Sequence, residues 1–241
     1  MKKLFETLMD NLTFVLACIA VSAAIIGLSL LVEKTLLKGK TVKMSPTRRT
    51  ATCAMLAAAA GLLMLFEFPI PFIAPPFYEA DFSELPVMIG AFTMGPTAGI
   101  VIELVKVFVK LVIKSTSTAF VGDFANFFIG CTLVVPASII YHLKKSQGNA
   151  IVSLISGTLF MAIFGSAFNA VYLIPKFAQL YGTPLETIVA MGTEINPLIT
   201  GKWSLALWAV VPFNILKGIM VSVLTMIIYK PLSGIIKGKR S

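Results

Sequence analysis

The stretch SELPVMIGAFTMGPTAGIVIELVKVFVKLVI, residues 83–113, decides the fold because it sets how many times the chain crosses a membrane. The dipeptide Gly95-Pro96 interrupts an otherwise apolar run, and such a dipeptide is typical of a turn. One interpretation is a single helix that ends near Ile102 and is followed by a surface segment. The other is two crossings, of about 83–94 and 97–113, that turn at Gly95-Pro96.

The rest of the chain is typical of an integral membrane protein. Of its 241 residues, 57% are hydrophobic and only 13% are charged, and the mean hydropathy of +0.91 excludes an ordinary soluble fold. A helix needs roughly 20 apolar residues to cross a bilayer. Apolar runs suited to this cover residues 11–32, 50–66, 124–143, 146–175 and 203–229. With two crossings at 83–113, we predict an all-α membrane protein with seven spans.

The distribution of charge decides between the two interpretations. With two crossings, one side of the membrane holds twelve basic residues opposed only by Glu33, and most carboxylates lie on the other side. The positive-inside rule makes the basic side cytoplasmic, so the N-terminus is outside and the C-terminus inside. The net charge of +9 then fits anionic lipid at the inner surface, and no nucleic acid is expected. The basic residues are Lys34, Lys38, Lys40, Lys43, Arg48, Arg49, Lys144, Lys145, Lys230, Lys237, Lys239 and Arg240.

The first apolar run could be a cleaved signal peptide or a retained span. Its length and the basic block that follows it favour a retained anchor. We therefore predict two parts: an accessory transmembrane helix with a basic cytoplasmic linker, residues 1–47, and a six-span core, residues 48–241.

The sequence lacks the residues that the common enzymatic motifs require. The single histidine, His142, permits neither an HExxH zinc motif nor a Ser/His dyad within the membrane, and no Walker A sequence is present. We expect no catalytic residue, no metal and no cofactor. A membrane enzyme that acts on a lipid-like substrate stays as an alternative, with Asp81, Glu84 and Asp123 as its acid and base groups.

The segment EFPIPFIAPPFYEADFSE, residues 67–84, predicts a stiff lid. It contains four prolines, five aromatic residues and four carboxylates, and proline fixes the backbone where a Gly/Ser loop would be flexible. Phe77, Tyr78 and Phe82 offer flat faces suited to a planar ligand. The alternative is an aromatic belt that anchors the loop to lipid.

Polar side chains within the spans indicate a pocket at the depth of this lid. Asn214 and Lys217 are three residues apart and share a helix face. A lysine at the bilayer centre costs about 2.5–3.5 kcal/mol, so Lys217 is expected to face a cavity or a partner. It could instead pair structurally with Glu103 or with a helix end. Asn126 and Asn169 lie at a similar depth, although asparagines can also serve as hydrogen-bonding contacts between helices.

Two further patterns concern helix packing. Glu103 and Lys106 have the spacing of an internal ion pair, although Lys106 could reach the pocket instead. In the first core span, Ala54 with Ala58 and Ala57 with Gly61 repeat at four-residue spacing. They predict a smooth docking surface for another helix of the chain or for a separate subunit.

Five sequence blocks carry a family resemblance: FEFPIPF at 66–72, DFSELP at 81–86, FTMGPTAG at 92–99, ANF at 125–127 and PFNILKG at 212–218. Over about residues 49–232 the chain resembles the substrate-binding S components of energy-coupling factor (ECF) vitamin transporters of the riboflavin type. The resemblance implies a six-helix core with a pocket that opens outward, and riboflavin as the transported ligand. An S component for another small vitamin is the nearest alternative. The extra N-terminal span and the long stretch 176–202 depart from the family pattern.

The resemblance also implies partners and site residues. The partners are a transmembrane coupling protein, bound through the Ala-rich helix, and two ABC-type ATPases, in the plasma membrane of a bacterium. Asn169, Asn214 and Lys217 resemble the flavin-binding positions, and Tyr78 and Phe82 fall in the closing loop. Together with the pattern-based candidates, the predicted ligand-binding residues are Asn169, Asn214, Lys217, Tyr78, Phe82, Asn126, Phe77 and Asp81.

Overall fold

The computed structural model describes residue 9, residues 11–42 and residues 44–237, and these are largely helical. Residues 1–8 and 10 of the predicted accessory part, and Lys43, Lys239 and Arg240 of the charge argument, lie outside the described residues. The helices are α1 (Leu12–Thr35), α2 (Pro46–Leu63), α3 (Glu84–Met94), α4 (Pro96–Ile113), α5 (Val121–Leu143), α6 (Gln147–Phe168), α7 (Ile174–Tyr181), α8 (Leu185–Thr193), α9 (Lys202–Leu205) and α10 (Val211–Lys237). The strands are β1 (Phe68–Pro69) and β2 (Glu79–Ala80).

Four helical segments of the described chain are long and apolar enough to cross a membrane. They are Leu12–Thr35, Val121–Leu143, Gln147–Tyr181 and Lys202–Gly234. The third continues beyond Pro175, where the sequence predicted its end. Proline is tolerated there because it lies in the first turn of α7, where its missing amide is not needed. The expectation of a largely helical membrane protein is thus confirmed.

Residues 83–113 form two helices, as the two-crossing interpretation predicted. Helix α3 ends at Met94, and α4 begins at Pro96. Between them Gly95 has a φ of 110°, a conformation that favours glycine. The side chain of Glu33 accepts a hydrogen bond from the Thr97 amide at 2.9 Å. The accessory helix α1 therefore caps the start of α4.

Helix α1 packs beside α4 and α5. Its Phe14 meets Phe124 edge to face, with ring centroids 6.1 Å apart. Its Ser29 hydroxyl lies 3.0 Å from the hydroxyl of Thr97. The main apolar core lies among α2, α3, α4, α5, α6 and α10. Within it the rings of Phe92 and Tyr141 stack at 4.3 Å.

Ion pairs fix α4 within the bundle. Lys106 pairs with Glu103, which confirms the predicted pair, and also with Glu84 at 2.9 Å. All three side chains are buried. One and two turns further along α4, Lys110 pairs with Asp123 and Lys114 with Glu67.

The predicted lid, residues 67–84, corresponds to a loop of residues 64–83, because Glu84 already begins α3. This loop, termed the lid below, folds across one end of the bundle, which we term the lid end. Its strands β1 and β2 pair antiparallel and close the loop on itself. Ile70 and Ala74 of the lid are buried in one apolar cluster with Ile188 of α8 and Ile199. The lid therefore rests on the segment that follows α7.

Candidate ligand-binding site

A polar cavity of about 160 Å³ lies beneath the lid. Its walls come from the lid, α3, α5, the α6–α7 helix and α10. Six of the eight predicted ligand-binding residues line it, although they come from four separate parts of the sequence: Phe77, Tyr78, Asn126, Asn169, Asn214 and Lys217.

Several polar side chains of this cavity are engaged in hydrogen bonds. The Tyr78 hydroxyl donates to Asn169 Oδ1 at 2.9 Å, and Asn169 Nδ2 donates to the Gly165 carbonyl at 2.7 Å. Lys217 Nζ donates to Asp81 Oδ2 at 3.0 Å. The structural partner of Lys217 is thus Asp81, and the alternative pairing with Glu103 is wrong. The contacts of Tyr78 with Asn169 and of Asp81 with Lys217 both join the lid to the helices.

Two π-helical turns place the asparagines. Asn169 begins the first, Asn169–Leu173, and the second, Ala206–Val210, leads into α10 and Asn214. A π-helical turn adds one residue to a helix and rotates the side chains that follow it, which is why such turns are frequent at functional sites. Neither turn was predicted, because the hydrophobic pattern continues through both.

Two predicted residues do not line the cavity. Asp81 is 3% exposed and contacts the site through Lys217. The ring of Phe82 is half-buried and packs on Phe68, with centroids 5.9 Å apart. The structure therefore does not place Phe82 as a flat face of the pocket, which was its predicted role. Lys106 also lies away from the cavity wall, in its ion pairs with Glu84 and Glu103.

Other residues of the wall were not predicted. Phe213 packs on Tyr78 with centroids 5.8 Å apart, and Phe177 on Phe77 at 6.4 Å. The sequence did hold a signal for Phe213, because it lies four residues before Lys217 and shares its helix face. Glu79, Glu84 and Met161 also line the wall and were not among the predicted ligand-binding residues.

Carboxylates at the mouth of the cavity influence one another. Glu79 lines the mouth, and burial together with the carboxylate of Glu67 raises the pKa of Glu79 above its ordinary value. The hydrogen bond that Lys114 donates to Glu67 raises the pKa of Lys114. The lysine therefore stays charged and balances the acids of the lid.

The predicted docking residues divide between two faces of α2. Ala54 and Ala58 are exposed, whereas Ala57 and Gly61 are buried. A Cβ added to Gly61 would lie 2.7 Å from Cβ of Val109, so this position packs tightly on α4. Ala57 and Gly61 thus pack inside the chain, which agrees with the alternative of docking on another helix of the chain, and of the four residues only Ala54 and Ala58 are exposed.

Two larger grooves, of about 660 and 590 Å³, open between helices on the side of the bundle. Almost all of their lining is apolar, and in a bilayer such surface faces acyl chains. The cavity under the lid is smaller, but it combines aromatic faces with converging polar groups, which is the composition of a small-molecule site.

Comparisons with known proteins identify the family of the chain. Residues 48–229 match the family described as "ECF transporter, substrate-specific component". The chain is 32% identical to Riboflavin transporter RibU of Staphylococcus aureus (strain TCH60), over 81% of this chain and 96% of that protein. It is 30% identical to Riboflavin transporter FmnP of Bacillus subtilis (strain 168), over 80% of this chain and 96% of that protein.

A solved structure is similar as well. It is described as "Structure and mechanism of the S component of a bacterial ECF transporter", and it aligns with a TM-score of 0.62 at 34% identity. The alignment covers 80% of this chain and 99% of that one. The family match spans well over half of the chain, and the chain therefore belongs to the substrate-specific components of ECF transporters.

Proposed function

We propose that this chain is the riboflavin-binding S component of an ECF-type importer, which captures the vitamin outside the cell and delivers it inward. The observation that carries the proposal is the convergence of aromatic and polar side chains on one cavity beneath the lid. Aromatic faces suit the isoalloxazine ring, and amide and ammonium groups suit its carbonyls and the ribityl hydroxyls. The similarity of the chain to two riboflavin transporters supports riboflavin as the ligand.

Capture requires the lid to move. The cavity of about 160 Å³ is smaller than the roughly 300–1,000 Å³ of typical small-molecule sites. Two lid contacts hold it closed, Tyr78 to Asn169 and Asp81 to Lys217. We infer that riboflavin replaces these partners, so that the polar groups exchange one hydrogen-bonding partner for another as the lid opens and recloses.

The proposed topology has seven spans, with the N-terminus outside and the C-terminus inside. The lid end then faces outward. Residues 1–47 form the accessory helix and linker, and residues 48–241 form the substrate-binding core. The hydrogen bond between Glu33 and the Thr97 amide supports stable packing of the accessory helix on the core. The protein is a multi-pass component of the bacterial plasma membrane, surrounded by lipid.

Transport requires partners, because no ATPase motif occurs in the chain. We propose that a transmembrane coupling protein binds the exposed face of α2 at Ala54 and Ala58. Small side chains there permit close approach of a second helix. Two ABC-type ATPases bound to that protein then drive delivery. Riboflavin itself is cargo, and none of its bonds change.

The fold does not favour the enzymatic alternative, because its three candidate acid and base groups are engaged in ion pairs. Asp81, Glu84 and Asp123 are all buried, and each is ion-paired with a lysine. A carboxylate engaged in this way is poorly placed to exchange protons with a substrate. The relatives are named as transporters, which agrees. An S component for a different vitamin stays as the second candidate, because pocket details and not the fold select the ligand.

The test is a ligand titration of the purified chain in detergent or nanodiscs. Riboflavin fluorescence is expected to be quenched on binding, with saturation at one flavin per chain, whereas thiamine and biotin do not compete. Competition by another vitamin with no response to riboflavin would favour the second candidate. Absence of binding to any of them would refute the proposed function.

A further inference from the structure

Three buried polar atoms in the cavity wall have no hydrogen-bond partner among the residues that the structure describes. One is the amide oxygen Oδ1 of Asn126, and the other two belong to residues that are almost fully buried. These two are the carboxylate oxygen Oε2 of Glu84 and the amide nitrogen Nδ2 of Asn214. Their residues are 1% and 4% exposed, respectively. Buried polar groups are nearly always hydrogen-bonded in folded proteins. An unpartnered acceptor and an unpartnered donor in one small cavity therefore indicate a ligand that presents a donor and an acceptor to them.

The position of the Glu84 carboxylate is fixed by its surroundings. Its other oxygen, Oε1, accepts a hydrogen bond from Lys106 Nζ at 2.9 Å. Lys106 is fully buried and also pairs with Glu103, so it cannot swing away into solvent. The carboxylate also packs against Gly130, where an added Cβ would lie only 2.9 Å from Oε1. The carboxylate is therefore anchored through one oxygen, and the second oxygen is left for a ligand.

The chemistry of the two atoms selects one edge of the ligand. A carboxylate paired with a lysine accepts hydrogen bonds and does not donate them. The asparagine amide nitrogen donates. The pyrimidine edge of isoalloxazine carries an N3–H donor between two carbonyl acceptors in a fixed plane. This edge carries the donor that Glu84 lacks and the acceptor that Asn214 lacks, and the aromatic rings of Phe213 and Tyr78 lie in the same wall.

Resting on the proposed function, we propose that Glu84 is a specificity-determining residue that accepts the N3–H of the flavin ring, while Asn214 donates to an adjoining carbonyl. Charge-assisted hydrogen bonds are about twice as strong as neutral ones. The site thereby distinguishes flavins with a free imide edge from analogues in which that edge is blocked.

The experiment combines a protein change with a ligand change. Riboflavin and 3-methylriboflavin, in which a methyl group replaces the N3 proton, are titrated against the unaltered chain, Glu84→Gln and Glu103→Gln. The control is matched because Glu103 shares Lys106 with Glu84 but does not line the cavity. We expect methylation to weaken binding to the unaltered chain and to Glu103→Gln by about tenfold or more. In Glu84→Gln, riboflavin binding falls by a similar factor and methylation has little further effect.

An equal methylation penalty in Glu84→Gln and in the unaltered chain would overturn the assignment of N3–H to Glu84. Failure of the unaltered chain to bind either flavin would instead overturn the proposed function. If Glu84→Gln does not fold, riboflavin labelled with ¹⁵N at N3 and bound to the unaltered chain supplies the second measurement. We expect a slowly exchanging N3–H proton in its NMR spectrum. A proton that exchanges with water as fast as in free riboflavin would contradict the proposal.

Discussion

Neutralising Lys217 is expected to have two separable effects, one on stability and one on ligand binding. Its partner Asp81 is 3% exposed, and the two side chains meet at 3.0 Å. Lys217→Met leaves that carboxylate buried and unpaired, which costs about 3–5 kcal/mol of folding free energy. Asp81→Asn strands the lysine and costs a comparable amount.

The double variant Asp81→Asn/Lys217→Met separates the two effects. It removes both charges, and replacing a buried ion pair by neutral groups is often close to neutral for stability. The double variant is therefore expected to regain most of the lost stability. Its riboflavin affinity should stay low, because a hydrogen bond from a charged group contributes about 1.5–3 kcal/mol, or roughly 10- to 150-fold in affinity.

The two readouts are the unfolding midpoint in detergent and riboflavin titration by fluorescence quenching. A matched control is the buried pair of Lys110 with Asp123, which lies between α4 and α5 and does not line the cavity. Its double neutralisation should leave riboflavin affinity unchanged. Normal affinity in Asp81→Asn/Lys217→Met would refute a ligand-binding role for Lys217. A double variant as unstable as the single ones would refute the pairing argument.

Three further changes test the lid, the docking face and the accessory helix. Ile188→Ser should speed riboflavin dissociation severalfold because α8 supports the lid, whereas Leu198→Ser, at an exposed position of the same segment, should not; equal rates would contradict this support. Ala58→Trp should abolish co-purification with the coupling protein but keep flavin binding, whereas Leu159→Trp on the exposed face of α6 should keep both. Glu33→Ala removes the cap of α4 and should lower stability by about 1 kcal/mol with little effect on affinity, as measured by unfolding and titration.

Local features of the sequence predicted part of the helical layout. Gly95-Pro96 predicted the turn between α3 and α4, because few other residues adopt the backbone angle found there. The end of the helix near Pro175 was misjudged. Proline disrupts a helix only where its missing backbone amide would have donated a hydrogen bond. A π-helical turn directly precedes the helix that contains Pro175, and the periodicity of the sequence does not reveal such a turn.

The candidate site was predictable where residues share one helix and was not where they meet across helices. Asn214 and Lys217 could be grouped by their spacing alone. The pairing of Lys217 with Asp81 spans 136 positions of sequence, and no local pattern encodes it. The same limit applies to α2, where Ala57 and Ala58 are equivalent in composition. Only the packing of α4 against one face shows which of them stays exposed.

Helix α4 shows why composition understates the number of apolar helices in this bundle. Helix α4 is 18 residues long and apolar, but Glu103, Lys106 and Lys110 give it three charges, so it is absent from the four candidate spans, and Lys114 follows one turn later. Each ammonium nevertheless meets at least one carboxylate, and the partners come from the lid, α3, α4 itself and α5. An ion pair costs far less to bury than a lone charge. The lysines therefore do not exclude α4 from the bundle, and their partners fasten it to the elements that surround the cavity.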